Sequence, residues 1–275
     1  GTGTTDSNNY AIDSQRPTAH IVVSNTSLSI GDSTTVTITF SEAVSGLATT
    51  DFTVANGALS NLSSSDGGVT WTATLTPSAN VASPTNLIAL ANTGYTDAAG
   101  NTGSSPTDSN NYSVDTQRPT ATIVVNDTVL TAGATTTVTV TFNEAISGLT
   151  LANFAVANGV LSNLSTSDNI TWTATLTPSA NTTNVTNLIT LNNSGVQDQV
   201  GNTGVGTTNS NNYAIDTQRP TAISVLVTDT TLKAGQSTTV TITFSETVTG
   251  LDTGDFSVAN GTLSNLSSSD GGLTW

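Results

Sequence analysis

Acidic side chains return to the same slots along this chain. Asp13, Asp115 and Asp216 stand just before a Gln-Arg-Pro step, and Glu42, Glu144 and Glu246 follow a long alternating stretch. Asp51, Asn153 and Asp255 form a third set, and Asp97 and Asp198 lie in a loop that ends in Gly-Asn. Carboxylates scattered in sequence do chemistry together only if the fold gathers them. Four of them around one Arg make an uncompensated negative site, and such crowding is costly unless a cation binds or some carboxylates take up protons. Calcium is the natural cation, because it accepts about six to eight oxygen ligands in flexible geometry. Zinc usually takes His or Cys, and the chain has one His, His20, and no Cys. Residues 97–101 are not an EF-hand loop, which needs acidic or amide ligands at alternate positions.

Other chemistry has less behind it. Glu42 and Asp51 are a formal carboxylate pair for glycoside hydrolysis, but a pair of acids without a pocket says little. His20 has Thr122 and Ile223 in its equivalent slots, so schemes built on His have no support. The plainest alternative is solvated loop acids, with Asp13 and Arg16 a surface ion pair of small worth. The Arg also has a role without metal, bracing the turn between units through a bidentate carboxylate contact.

The elements that must position these acids are repeated. Gln-Arg-Pro-Thr-Ala recurs at 15–19, 117–121 and 218–222, with its arginines 102 and 101 residues apart, so the unit is the size of a domain. We read two complete units, 14–115 and 116–216. Residues 1–13 are the last strand of a preceding repeat, and 217–275 are the N-terminal part of a further one. Copying in series suits a stalk, a spacer or a multivalent binder better than an enzyme.

Within a unit the periodicity is that of strands. Residues 34–40 (TTVTITF) alternate, with Val36, Ile38 and Phe40 on one face, and 69–75 (VTWTATL) alternate with Val69, Trp71, Ala73 and Leu75 inward. Shorter strands are expected at 10–13, 21–23, 52–54, 59–62 and 87–90, with turns at 31–32, 56–57 and 66–68. The fold class is therefore all-β: tandem immunoglobulin-like β-sandwiches of about seven strands each. An up-and-down strand count places Glu42, Asp51 and Asp97 beside Asp13 at one end, with Asp66 at the same end but farther off. In unit three the stretch from Pro220 to Gly235 is one residue longer than its counterparts, which predicts a bulge in that unit's first strand. Tyr10, Tyr112 and Tyr213 are expected to cap the core, and Trp71, Trp172 and Trp275 to pack into it rather than form a carbohydrate platform. The Thr-x-Thr runs could suggest an ice-matching lattice, but strand propensity alone accounts for them.

Composition narrows the partners. The formal net charge is -15, yet only 8% of residues are charged and 35% are hydrophobic, which separates the chain from disordered acidic tails. Nucleic acid is excluded as a partner, since Arg16, Arg118, Arg219 and Lys233 are the only Lys and Arg. No membrane insertion is expected in this segment and no signal peptide is visible. With a single Lys, a covalent isopeptide staple is ruled out for the two complete units.

The strings IDTQRPTA, VTITFSEAV, DFTVANG, GVTWTATLTP and TDAAGN resemble the bacterial Ig-like repeats of giant surface adhesins, including RTX-type and biofilm-associated adhesins exported by type I secretion. The resemblance spans essentially the whole chain. It implies a non-enzymatic extender at the bacterial cell surface, stiffened by calcium at its junctions, whose partners are the neighbouring repeats and, through other domains, a host-cell or surface ligand. It carries over Asp13, Glu42, Asp51 and Asp97 as ligands at the first junction. Asp115, Glu144 and Asp198 carry over at the second, and Asp216, Glu246 and Asp255 at the third. Asn153 departs from the pattern, and Gln197 and Gln199 flank Asp198, which implies weaker calcium binding at the second junction. The alternative function is an Ig-like module that recognises a protein or glycan ligand on another cell.

Overall fold

Alternating β-branched residues favour pleated, half-buried strands, and a computed structural model describes residues 2–275 as such strands joined by short turns. Unit one contains β1 (Ala19–Val23), β2 (Ser27–Leu28), β3 (Thr34–Phe40), β4 (Phe52–Val54), β5 (Gly57–Ser64), β6 (Thr70–Pro77), β7 (Ala82–Asn86), β8 (Ile88–Leu90), β9 (Thr107–Asp108) and β10 (Tyr112–Asp115). One layer is the antiparallel sheet β1-β3-β6-β5. The other is built of β2-β10-β7 and β4-β8-β9. Only Leu87 separates β7 from β8, and only 109–111 separate β9 from β10. Each of those pairs is one interrupted strand, and β1 with β2 is one strand that changes sheets. The ten segments are thus the seven strands expected of an immunoglobulin-like sandwich.

Val36, Ile38 and Phe40 of β3, with Ile21, Val23 and Leu75 from the neighbouring strands of the same sheet, pack against Ile88, Leu90 and Val114 of the opposite layer. Trp71 is only partly buried and packs against that core from its edge. Tyr112 is fully buried, and its hydroxyl donates to the Ala55 carbonyl. The turn expectations hold where backbone geometry demands them: Asn56 has φ 50°, and Gly67 and Gly68 have φ 81° and 102°.

Where the second layer is interrupted, amide side chains take the place of backbone. Asn110 accepts from the Val23 N–H at 2.8 Å and donates to the Val23 carbonyl at 3.1 Å, so one side chain stands in for a strand residue beside β1. Ser109 Oγ and Asn111 Oδ1 accept the Ile88 and Asn86 amides, both at 3.0 Å. These bonds satisfy backbone groups that the break would otherwise orphan.

Unit two repeats the plan in β11 (Ala121–Val125), β12 (Val129–Thr131), β13 (Thr136–Phe142), β14 (Phe154–Val156), β15 (Gly159–Thr166), β16 (Thr171–Pro178), β17 (Thr183–Asn187), β18 (Ile189–Asn192), β19 (Thr207–Asn209) and β20 (Tyr213–Asp216). In unit three, β21 (Ala222–Val227) pairs with β22 (Val240–Phe244), and the register slips between Ala222 and Ser224, so Ile223 is the bulged extra residue. The expected bulge is there. β21 is exposed along its length, unlike β1, whose Ile21 and Val23 are buried. The strand expected at 10–13 does not form: Tyr10 and Ile12 are exposed, whereas their equivalents Tyr112 and Val114 are buried between partners. Among the described residues the helical segments are three-residue 3₁₀ turns, and no helix is long and apolar enough to cross a membrane.

Candidate metal centre between successive units

The loop between β8 and β9 sets the geometry. Asp97 Oδ1 accepts the Ala99 amide at 2.9 Å and the Asn101 amide at 2.8 Å, and its Oδ2 accepts Asn101 Nδ2 at 2.8 Å. Gly100, at φ 92°, lets the chain double back to make these bonds. Asp198 is held in the same way by the Val200 and Asn202 amides and by Asn202 Nδ2, the last at 2.7 Å. Both carboxylates are buried. The Asn101 side chain, aided by the loop amides, keeps Asp97 below the usual carboxylate range. A carboxylate offers about two lone pairs on each oxygen, so Oδ2, with one bond, keeps capacity for a further partner.

Two other acids arrive beside each loop. Glu42 follows β3 and Asp13 lies in the link that precedes unit one, while Glu144 follows β13 and Asp115 ends β10 of the preceding unit. In each trio, Asp13, Glu42 and Asp97 or Asp115, Glu144 and Asp198, one carboxylate oxygen per residue lies within 4.8 Å of the others. Burial pushes Glu144 up from its ordinary range, and repulsion from Asp115 and Asp198 adds to the rise. Asp115 is raised by burial and by Asp198, against a bond from the Gln117 amide. Glu42 is raised by desolvation, then by Asp97 and Asp13. The trio is therefore an all-oxygen, mutually repelling set that spans two units.

The donor set fits calcium. Ca–O distances of about 2.3–2.6 Å let ligand oxygens lie up to roughly 5.2 Å apart, and magnesium dehydrates too reluctantly to favour an all-protein cage. Oxygens no more than 4.8 Å apart can converge on one such ion, and an all-carboxylate set of flexible geometry suits calcium.

Asp51 does not join the trio, contrary to the strand count. It closes the 3₁₀ turn Thr49–Asp51, its Oδ2 accepting the Ala48 amide at 2.8 Å, and it packs so close to Gly94 that a Cβ there would lie 1.9 Å from Asp51 Oδ1. Asn153 does the same work in unit two, accepting the Thr150 amide at 2.7 Å, and Asp255 in unit three accepts that of Asp252 at 2.9 Å. The slot needs an acceptor, not a charge, so Asn replaces Asp without touching the trio. Asp66, the more distant acid, is likewise committed to its own loop and is held down to about 2 chiefly by the Thr70 amide. At the third junction Asp216 accepts from Thr183 Oγ1 at 2.9 Å, and Glu246 Oε1 is buried with no hydrogen-bond partner. The Asp97-type loop has no counterpart there in this chain.

The arginines brace the junction through carbonyls rather than carboxylates. Arg16 Nη1 donates to the Thr102 and Gly103 carbonyls, both at 3.3 Å, and Arg118 Nη1 donates to that of Thr203 at 2.6 Å.

Residues 13–114, 115–215 and 216–275 each match the family model of the bacterial Ig-like domain. The chain belongs to that family. Among solved structures, the Escherichia coli adhesin FdeC resembles these bacterial Ig-like domains at 14% identity, covering 85% of this chain and 76% of its own, with a TM-score of 0.37. The Yersinia pseudotuberculosis adhesin InvE does so at 17% identity over 76% and 66%, with a TM-score of 0.31. No curated protein matches the chain. Sequence reasoning missed one participant in these bacterial Ig-like junctions, the Asn that ends the loop. Asn101 donates to the Asp13 carbonyl at 3.2 Å, and Asn202 donates to that of Asp115 at 2.9 Å. Its recurrence after Gly100 and Gly201 was the available signal.

Proposed function

We propose that this array is an extender segment of a secreted bacterial surface adhesin, in which calcium held at each junction stiffens the chain and supports adhesion or biofilm formation. The observation that carries the reading is the pair of carboxylate trios, each drawing one acid from the link and two from the domain that follows. Asp115, Glu144 and Asp198 would hold the ion between units one and two, and Asp13, Glu42 and Asp97 the ion before unit one. A bound cation supplies the positive charge that offsets three carboxylates, and tying the link to the next domain removes hinge freedom. Sites of the extracellular kind bind calcium at roughly 10⁻⁴ to 10⁻³ M, so rigidity would follow external calcium. Repetition of whole domains, with the same carboxylate trio returning at successive junctions, supports a mechanical role over a catalytic one.

The test is small-angle X-ray scattering of the chain in saturating calcium and in chelator, alongside a variant carrying Asp115→Ala and Glu144→Ala. The maximum dimension should fall, or the conformations broaden, on chelation, and the variant should behave in calcium as the parent does in chelator. Identical extended curves in all four samples would refute the calcium role and favour a ligand-recognition module.

A further inference from the structure

Asn202 makes contacts that the metal reading does not use. Its side chain is buried, at 3% exposure, where unit one, the link and the loop of unit two meet. Oδ1 accepts the amide of Ile30, in the β2–β3 turn of unit one, at 2.9 Å. Nδ2 donates to the carbonyls of Asp115 at 2.9 Å and Gln117 at 3.3 Å, and to Asp198 Oδ2 at 2.7 Å. One neutral amide therefore joins the far end of one domain, the chain between the domains and the loop of the next.

We infer that Asn202 is a metal-independent latch that sets the angle between units one and two, with the cation narrowing fluctuation about an angle already chosen. An amide suits this place because it donates and accepts at once. Asp would lose both donations to the link and add a charge to the trio, and Ser or Thr would be too short to reach Ile30 and the link together. Burial makes the bonds consequential, since a buried backbone group left unpaired bears its full desolvation cost. Asn101 provides an internal comparison. It makes the same bonds to Asp97 but plays no part in the junction between units one and two. The inference concerns the junction of the proposed function yet does not require that a metal bind there.

The experiment is a spin-label distance measurement on the full chain. The absence of Cys allows labels to be placed cleanly by Thr72→Cys in unit one and Thr173→Cys in unit two. Asn202→Ala should move the mean distance in calcium and in chelator alike, because each hydrogen bond lost changes the ratio of latched to unlatched junctions roughly fivefold. Asn101→Ala, which removes the same bonds within its loop, should leave that distance unchanged. Asn202→Asp keeps the side-chain shape and the Oδ1 acceptor but lacks the Nδ2 donor, and should shift the mean in the same sense should the Ala variant fail to fold. Equal shifts from Asn101→Ala and Asn202→Ala, or none from any Asn202 variant, overturn the latch. Failure of the calcium reading has a different signature: a parent distribution whose width is the same in calcium and in chelator.

Discussion

Glu144→Gln should change sign with calcium. In chelator, the substitution removes the repulsion of Glu144 by Asp115 and Asp198, whose nearest oxygens lie within 4.8 Å. At a separation of about 4.8 Å a pair of unit charges repels by about 0.9 kcal/mol at the dielectric of water, and the burial of Asp198 makes that a lower bound. Two such pairs make the variant about 1–2 kcal/mol more stable than the parent, and each kcal/mol raises the melting temperature of a domain this size by roughly 4–8 °C. In calcium the balance reverses. For a site of about 10⁻⁴ M affinity, calcium near 10 mM stabilises the parent by about 2.7 kcal/mol. The variant, with two carboxylates in place of three, recovers only part of that. Scanning calorimetry of both proteins in chelator and in about 10 mM calcium reads all four values. The reasoning is refuted if Glu144→Gln destabilises in both conditions, or if calcium leaves the parent's melting temperature where it was.

Stability in chelator should rise as pH falls from neutral and then drop in strong acid. Glu42, Asp115 and Glu144 have folded values above their ordinary ones, so their contribution is complete below the unfolded values of 4.5 for Glu and 3.8 for Asp, and is lost as pH rises through the folded values. Asp66 and Asp270, held down to about 2 by loop amides, act oppositely and lose their contribution as pH falls from 3.8 towards 2. Melting curves across pH should show a maximum between the two regimes, and calcium should flatten the neutral side; a steady decline on acidification would contradict the charge crowding. Trp71→Phe should cost about 1 kcal/mol more than Trp172→Phe, because the Trp71 indole donates to the Gly68 carbonyl at 3.1 Å whereas that of Trp172 is buried without an acceptor. Urea titrations of the two variants compare them, and equal costs would show that the bond is worth little.

Much of this was legible from residue type and spacing. Alternation in 34–40 fixes the inward face of β3, the extra residue after Pro220 surfaces as the bulge at Ile223, and an up-and-down count brings Asp13, Glu42 and Asp97 to one end. Asp51 misled because position along the chain decides which end of the sandwich a residue reaches, while the local turn decides where its side chain points. A 3₁₀ turn offers its own free amide to the acid at its third position, and that bond is satisfied before any longer-range partner is met. The clue lay in Asn153, a replacement that a hydrogen-bond acceptor tolerates and a charge-compensating ligand does not.

The roles of Asn could not be read in advance, because periodicity arguments follow apolar residues and electrostatic ones follow charges, and a neutral amide belongs to neither. Yet with no Cys and one Lys the chain has neither disulfides nor covalent amide links in its complete units, and something must still tie one layer to the other and one domain to the next. Asn110 clamps both backbone groups of Val23, Asn211 clamps those of Val125, and Asn202 joins two domains. Each makes donor and acceptor bonds at once and adds nothing to a net charge already at -15. A carboxylate in any of these places could not donate to the carbonyl and would bury further charge without a partner. At the junction the two chemistries divide: amides supply bonds that need no ion, and the mutually repelling carboxylates beside them are the groups whose charge a bound cation would offset.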